Sequence, residues 1–190
     1  MRAPLYTFTP LREADLALVR RWLLEPHVAR WWDDGTKAPY PDAEIADYRE
    51  AILGRDPTYR YLAYISGQPV GIFQHYRVAD SPEYENALSL DEDAIGLDLF
   101  IGEPSLIGRG HGPRMLREFL GVVAFGFWLD KDITVCVIGP SVSNLSAIRA
   151  YEKAGFRFVR DVVVPGEAEP EHLMRLTRDE LAHFAASSMQ

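Results

Sequence analysis

The 190-residue chain has a single cysteine and no apolar run long enough to cross a bilayer. Its first residues also lack the apolar stretch of a secretory signal peptide. One cysteine excludes an internal disulfide, and the apolar neighbours of Cys136 at 133–138 favour a buried, small hydrophobic side chain over a catalytic thiol. We therefore expect a soluble protein of the cytoplasm.

Positive charge is also scarce, because 20 Lys and Arg residues face 28 Asp and Glu residues, for a formal net charge of -8 at pH 7. This balance disfavours nucleic acid and favours cationic partners, so an anionic ligand needs a local basic site. The chain has no internal repeat, low-complexity tract or Gly/Ser linker, and its 47% hydrophobic content is enough for a core. We predict one domain over 1–190, with a core at 5–178 and a C-terminal tail at 179–190. We expect a monomer or homodimer that holds no metal and binds neither nucleic acid nor a membrane.

Strand and helix patterns alternate along the chain. Apolar or alternating segments predict strands at 5–10, 59–65, 70–78, 95–101, 133–138, 156–164 and 172–176. Helical spacing predicts helices at 13–24 and 42–53, from 113 to about 128, and from an Asn144 cap to about 153, where Gly155 closes the helix. The segment 27–35 is typical of a short turn or helix with paired aromatics, and 79–93 of an acidic loop. This alternation predicts a mixed α/β sandwich.

A glycine-rich run, Gly108-Arg109-Gly110-His111-Gly112, separates the strand at 95–101 from the helix that follows. A strand, a glycine turn and a helix in succession can aim backbone N–H groups at a phosphate, and the helix dipole adds attraction. Glycine permits positive φ values and close approach of oxygen atoms. Local positive charge is supplied by Arg109, Arg114 and Arg117. The run predicts a pyrophosphate site, and by itself leaves open a loop without a ligand.

The segment 143–156, SNLSAIRAYEKAGF, resembles the C-terminal motif of the GNAT acetyltransferase superfamily. The preceding run from Ile107 to Gly112 is similar to the superfamily's Q/R-x-x-G-x-G/A loop, with Ile107 at the Q/R position. The resemblance implies the GNAT fold, with a mixed, mostly antiparallel sheet flanked by helices. It also implies that the sheet splays between the strands at 95–101 and 133–138, and that acetyl-CoA is bound there as co-substrate.

By the same resemblance, backbone groups of Phe100 and Ile101 pair with the pantetheine, and Asn144 contacts the cofactor. Tyr151 would protonate the departing thiolate, a role that suits a phenol of higher pKa. From the residues alone, Tyr151 also fits a half-buried aromatic of an amphipathic helix, and Asn144 fits a plain N-cap that could coexist with the cofactor contact. The implied cofactor-binding residues are Phe100, Ile101, Ile107, Gly108, Arg109, Gly110, His111, Gly112, Pro113, Arg114, Asn144 and Tyr151.

From about 8 to 176 the chain is similar to bacterial aminoglycoside 6′-N-acetyltransferases. HVARWW at 27–32 resembles their H-I-x-x-W-W segment, and QPVGIFQHY at 68–76 resembles E-P-I-G-x-x-Q-x-Y. Gly96-Leu97-Asp98 resembles a Gly-Ile-Asp whose aspartate binds the amino sugar. This chain differs from their Asp-Pro-Ser-x-Ser-Asn motif, because Gly139 stands in place of the aspartate. A second substrate carboxylate is therefore missing. Siderophore-lysine acyltransferases share the segment at 99–104 but have histidine in place of Asp98 and aspartate in place of Ser141.

A polycationic aminoglycoside needs carboxylates for its ammonium groups and aromatic or amide groups for its rings. Asp98 is the strongest candidate, because a carboxylate in an apolar strand costs free energy without a partner. The acidic residues near Glu83 and Glu92 also fit a solvated surface, and Gln74 fits an amide at a strand edge. The tryptophan pair also fits core packing. The implied acceptor-binding residues are Trp31, Trp32, Gln74, Tyr76, Glu83, Glu92 and Asp98.

The predicted reaction is direct attack of a primary amine on the acetyl thioester in a ternary complex, with Asp98 and Tyr151 as catalytic residues. Asp98, or Glu92 through a water, accepts the proton of the amine, and a backbone N–H near Ile101 polarises the carbonyl. One alternative is acylation of another amine, such as a polyamine, a siderophore precursor or a protein N-terminus. Another is a degenerate module that binds acyl-CoA without turnover, in which Gly139 marks a decayed acceptor site.

Overall fold

The computed structural model describes residues 5–33, 39–126 and 132–187, with side chains as far as 184. The strands are β1 (Tyr6–Pro10), β2 (Tyr59–Ile65), β3 (Gln68–Arg77), β4 (Ile95–Ile101), β5 (Val135–Ile138), β6 (Arg157–Val162) and β7 (Glu171–Thr177). The α-helices are α1 (Leu16–Leu23), α2 (Pro26–Trp32), α3 (Asp42–Ile52), α4 (Pro82–Leu88), α5 (His111–Phe119), α6 (Leu145–Ala154) and α7 (Arg178–Ser187). Short 3-10 turns lie at Glu13–Asp15, Val78–Asp80 and Pro104–Leu106, and a π-helical segment, Leu120–Ala124, extends α5.

The strands form one sheet in the order β1-β2-β3-β4-β5-β7-β6. The pairs β1/β2, β2/β3, β5/β7 and β6/β7 are antiparallel, whereas β4/β5 is parallel. The parallel register joins Ile95 to Cys136 and Gly96 to Val137. The predicted fold class, a mixed α/β fold with a mostly antiparallel sheet flanked by helices, is confirmed. Within the part of the chain that the structure describes, no helix is long and apolar enough to span a bilayer.

Two compact units make up the chain, and the first lies within Met1–Tyr76 and Asp98–Arg109. Its core includes Trp22 and Phe100, whose rings meet edge to face with centroids 6.5 Å apart. Such a pair adds about 0.5–1.5 kcal/mol beyond the area it buries. Helix α1 buries Leu16, Val19, Trp22 and Leu23, whereas Leu24, its C-cap, is 54% exposed.

The second unit lies within Arg77–Leu97 and Gly110–Gln190. All four residues of β5 are buried, which agrees with the continuous apolar run in the sequence. Cys136 is fully buried, so its interpretation as a small hydrophobic side chain is confirmed. The core of this unit contains Val78, Leu88, Ala94, Val135, Val137, Val162 and Leu173.

Several element predictions need correction. The segment predicted as an acidic loop contains α4, because Pro82 at the first helical position and acidic residues in the first turn favour a helix. Helix α5 begins at His111 rather than Pro113, since Gly110 adopts the left-handed conformation at its N-cap. The helix end predicted near 128 lies outside the described residues. Most of α7 lies in the segment at 179–190, whose assignment as a C-terminal tail stays a prediction.

Candidate active site

Asp98 lies half-buried on β4 and accepts a hydrogen bond of 2.9 Å from Nε2 of Gln74, on β3. Burial raises the pKa of Asp98 above its ordinary value, and the nearby Glu44 carboxylate acts in the same direction. The hydrogen bond from Gln74 and the positive charge of Arg60 lower the pKa but do not cancel the effect of burial. The structure thus brings together two of the predicted acceptor residues, with a carboxyl group of raised pKa.

Arg60, on β2, fixes the orientation of the Gln74 amide. Its side chain is 7% exposed, and its Nε donates to Oε1 of Gln74 at 3.0 Å. Its Nη1 donates to Oδ2 of Asp56 at 3.2 Å, and the guanidinium lies 4.6 Å from the ring centroid of Tyr48. Because arginine only donates, the amide must present its oxygen to Arg60 and its NH₂ to Asp98. We call Asp56, Arg60, Gln74 and Asp98 the acceptor network.

Neither Arg60 nor a second carboxylate, Glu44, was predicted from the sequence. Glu44 lies on α3 with 6% of its surface exposed, and its Oε1 accepts a 3.1 Å hydrogen bond from Nε1 of Trp32. An arginine in an otherwise aromatic and apolar strand was the available signal for Arg60. For Glu44 the signal was its position four residues before Tyr48 on the same helix, since residues four apart lie on one face and Tyr48 is fully buried.

The predicted tryptophan pair divides into two environments. The ring of Trp32 meets Phe100 edge to face with centroids 4.8 Å apart and packs against the core of the first unit. The ring of Trp31 is covered by Arg30, whose guanidinium carbon lies 4.6 Å from the ring centroid. Tyr76 is half-buried near the end of β3. Trp32 therefore contributes to packing while its indole N–H is bonded to Glu44.

Close packing of β3 against β4 fixes the backbone at Phe100 and Ile101. A Cβ added to Gly71 would overlap the carbonyl oxygen of Phe100 and lie 3.1 Å from its carbonyl carbon. The N–H of Gly102 donates to the carbonyl of Val70 at 2.8 Å. The Ile101 carbonyl oxygen lies 2.9 Å from Nε2 of His27, within the HVARWW segment. Glycine is therefore required at position 71, because a side chain there would collide with the backbone of β4.

The glycine loop has a different requirement. Gly108 and Gly110 have φ values of +74° and +76°, and a Cβ added to either would meet no atom within 4 Å. Backbone conformation, and not space, therefore selects glycine at both positions. Gly110 is the N-cap of α5, so His111, Gly112 and Pro113 form its first turn, where Pro113 contributes no N–H.

The side chains around this loop are largely accessible. Arg109 and Arg114 are exposed, and Ile107 is 49% exposed. Arg117 instead donates from Nη1 to the Lys153 carbonyl at 2.6 Å and covers the ring of Phe184 at 4.9 Å. The start of α5 can offer backbone N–H groups and the exposed Arg114 to an anion, whereas Arg117 stabilises the end of α6.

Helix α6 carries the two residues of the second motif. The Asn144 side-chain oxygen accepts from the Ala147 N–H at 3.2 Å and from Oγ of Ser146 at 3.0 Å, so the N-cap is confirmed. Gly155, with φ +108°, ends the helix as predicted. Tyr151 is 9% exposed, and its ring centroid lies 6.3 Å from that of Phe156.

The predicted acidic acceptor residues of the second unit lie in unlike settings. Glu83 is exposed in the first turn of α4. Glu92 accepts a 2.8 Å hydrogen bond from Nε of Arg175, and Asp93 pairs with Arg77. An ion pair at Glu92 makes that carboxylate less available as a general base.

Comparison with known proteins gives consistent matches. A family model described as the acetyltransferase (GNAT) domain matches residues 12–164. The aminoglycoside N(6′)-acetyltransferase type 1 of Klebsiella pneumoniae is 31% identical over 160 residues, which cover 84% of this chain and 77% of that protein. The structure of AAC(6′)-Ib in complex with ribostamycin and coenzyme A aligns with a TM-score of 0.77 at 30% identity, over 93% of this chain and 96% of that one. The N-hydroxyputrescine acetyltransferase of Acinetobacter baumannii is 29% identical over 105 residues, 54% of this chain and 47% of that protein.

Proposed function

Because the chain belongs to the GNAT family of acetyltransferases, we propose that it transfers an acetyl group from acetyl-CoA to the 6′-amine of an aminoglycoside. The similarity to an aminoglycoside N(6′)-acetyltransferase over 84% of the chain supports this acceptor. The structure of a relative with ribostamycin and coenzyme A supports both substrates.

The observation that carries the proposal is the acceptor network. Gln74 holds the Asp98 carboxylate at 2.9 Å and is itself held by Arg60 at 3.0 Å. A carboxylate fixed in this way can orient an ammonium group, and a raised pKa makes it a stronger base toward the amine proton. The same carboxylate can therefore bind the cationic acceptor and prepare it for attack.

The reaction proceeds by direct transfer in a ternary complex. Asp98 takes a proton from the acceptor ammonium, and the neutral nitrogen attacks the thioester carbonyl, which a backbone N–H near Ile101 polarises. A carbon–nitrogen bond forms, the carbon–sulfur bond breaks, and Tyr151 protonates the departing thiolate. The nitrogen releases its second proton to water as the amide forms, and a proton from water restores the tyrosine hydroxyl. The ion pair of Glu92 with Arg175 favours Asp98 as the base.

The remaining assigned residues bind the cofactor. Backbone groups of Phe100 and Ile101 pair with the pantetheine amides. The side chain of Asn144, the N-cap of α6, also contacts the cofactor. The pyrophosphate binds the loop and helix start at 107–114, where exposed Arg109 and Arg114 add positive charge. Acetyl-CoA is present in the cytoplasm, which supports a cytoplasmic location for the enzyme.

Acetylation of a different amine is the second candidate, and the similarity to an N-hydroxyputrescine acetyltransferase over 54% of the chain favours it. A linear polyamine presents amines on a flexible chain, without rings for Trp31, Trp32 or Tyr76 to contact. The two candidates therefore differ in whether substitution of these aromatic residues affects the acceptor KM.

A sulfhydryl-release assay with acetyl-CoA tests the proposal. The acceptor panel pairs aminoglycosides that carry a 6′-amine with others that carry a 6′-hydroxyl, and adds putrescine and spermidine. We expect thiol release with the 6′-amine compounds and at most background release with the 6′-hydroxyl compounds. Release with the polyamines alone would favour the second candidate, and binding of acetyl-CoA without release would contradict both.

A further inference from the structure

Gly139 and Glu171 share one space in the second unit. A Cβ added to Gly139 would overlap Oε2 of Glu171 and lie 2.7 Å from its Cδ. The Glu171 carboxylate therefore occupies the position that a side chain at residue 139 would take. Glycine at 139 is the condition for this placement.

Backbone and side-chain contacts hold Glu171 there. The N–H of His172 donates to the Pro140 carbonyl at 2.7 Å, and the N–H of Val142 donates to the Pro170 carbonyl at 3.0 Å. The Tyr84 hydroxyl donates to Oε2 of Glu171 at 2.9 Å. The start of β7 is thus fixed against the segment after β5 on both sides of Glu171.

This position is also the expected place for a ligand group. Gly139 directly follows the carboxyl end of β5, a strand with a parallel partner, and precedes the helix that Asn144 caps. In open α/β sheets, ligands bind beyond the carboxyl ends of such strands. Aminoglycoside 6′-N-acetyltransferases, which the chain resembles, have an aspartate at this point of the motif.

We propose that Glu171 supplies the acceptor-binding carboxylate that Gly139 lacks, and that it binds an ammonium group of the aminoglycoside. The inference rests on the proposed function. An ionised carboxylate only accepts hydrogen bonds and is the kind of group that binds an ammonium donor. The replacement at 139 is then a relocation of one negative charge from the end of β5 to the start of β7, and not a decayed site.

Glu171→Gln tests the role of the charge with little change of volume. We expect the aminoglycoside KM to rise about tenfold to a hundredfold, because the contact is a charge-assisted hydrogen bond. The KM for acetyl-CoA should stay within about twofold of the parent value. Glu167→Gln removes the same charge from an exposed site four residues earlier and should leave the aminoglycoside KM unchanged.

The double variant Gly139→Asp/Glu171→Ala moves the carboxylate from residue 171 to residue 139. It tests whether the placement of the negative charge, and not folding alone, determines acceptor binding. It returns a carboxylate to residue 139 while vacating the space that the glutamate held. We expect its aminoglycoside KM to recover to within about threefold of the parent, whereas Glu171→Ala alone stays weak. An unchanged KM in Glu171→Gln, or no recovery in the double variant, would overturn the role of Glu171 while parent turnover still supports the proposed function. A parent that acetylates no aminoglycoside contradicts the proposed function itself.

Discussion

The acceptor network is held by hydrogen bonds between side chains, whereas the glycine loop depends on its backbone conformation. The network joins Asp56, which precedes β2, to side chains of β2, β3 and β4, with hydrogen bonds of 3.0 Å and 2.9 Å on the two sides of Gln74. The loop relies on backbone dihedrals, with φ near +75° at two glycines whose added Cβ atoms would meet nothing within 4 Å. One part depends on distant partners, and the other on local conformation.

This difference predicts different responses to substitution. Replacing one side chain of the acceptor network alters the hydrogen bonds and the charges around Asp98. Such a substitution should therefore change the rate and its pH dependence. Under the proposed function the loop binds the cofactor, so a change in the loop should alter the acetyl-CoA KM as well as the free energy of unfolding. A network substitution that changed only the acetyl-CoA KM, or a loop substitution that shifted only the pH dependence of the rate, would contradict this distinction.

The largest effect is expected for Asp98→Asn. Asparagine keeps an oxygen that can accept from Gln74, so the network geometry survives while the base is lost. We expect kcat to fall about 10²–10⁴-fold, the usual contribution of general acid–base catalysis. Steady-state kinetics with both substrates check this, and the acetyl-CoA KM should stay within about twofold. Turnover equal to the parent's would remove Asp98 from the mechanism.

Tyr151→Phe should have the next largest effect. The ring is 9% exposed and packs near Phe156, so phenylalanine preserves the buried surface and removes only the hydroxyl. We expect kcat to fall about a hundredfold with both KM values nearly constant. Thermal unfolding of the variant serves as the control and should match the parent. A parent-like rate at every pH would place the general acid elsewhere.

Arg60→Met tests how the network controls Asp98. Asp98 must be ionised to accept a proton, so activity falls as pH drops through its pKa. The positive charge of Arg60 lowers the pKa of Asp98 against the effect of burial and of Glu44, so its removal raises the pKa further. The acid limb of the kcat/KM profile should therefore move to higher pH. Arg55→Met, which removes an exposed arginine, should leave the profile in place.

Gly110→Ala should mainly affect the cofactor side. Alanine in the left-handed conformation costs about 1–2 kcal/mol, so the free energy of unfolding should fall by about that amount and the acetyl-CoA KM should rise. Gly121→Ala is the matched control, because its added Cβ also meets nothing within 4 Å and its φ is not positive. Equal denaturation midpoints for the two variants would contradict a conformational requirement at Gly110.

The smallest effect is expected at Asn144. Asn144→Ala loses the cap on the Ala147 N–H and should destabilise the protein by about 1 kcal/mol. Asn144→Ser keeps a capping oxygen, so its stability should be close to that of the parent. A raised acetyl-CoA KM in both variants supports a cofactor contact, whereas a parent-like KM in the serine variant reduces Asn144 to a cap.

Local signals explain what the sequence could predict. The range Ile95–Ile101 of β4, the Asn144 cap and the Gly155 stop each follow from residues within a few positions of one another, and all three are confirmed. The prediction of a loop is wrong at α4, because Pro82 at the start and the acidic first turn favour a helix in a segment whose acidic composition is also typical of a solvated loop.

Long-range contacts explain what the sequence did not predict. The bond from Arg60 to Gln74 spans 14 positions, and that from Trp32 to Glu44 spans 12. The hydrogen bond of Tyr84 with Glu171 spans 87 positions. No periodicity or motif encodes such pairs, since they depend on strand register and on which helical face is buried. Asp98 and Gln74 were both candidate residues from the sequence, whereas the hydrogen bond between them and its support by Arg60 were not predicted.

Identification of the acetylated atom tests the central claim most directly. Purified protein is incubated with acetyl-CoA and an aminoglycoside that carries a 6′-amine, and the product is analysed by mass spectrometry and NMR. We predict one added acetyl group per molecule, on the 6′-nitrogen. An acetyl group on another nitrogen, or unmodified aminoglycoside after incubation with protein that binds acetyl-CoA, would contradict the account.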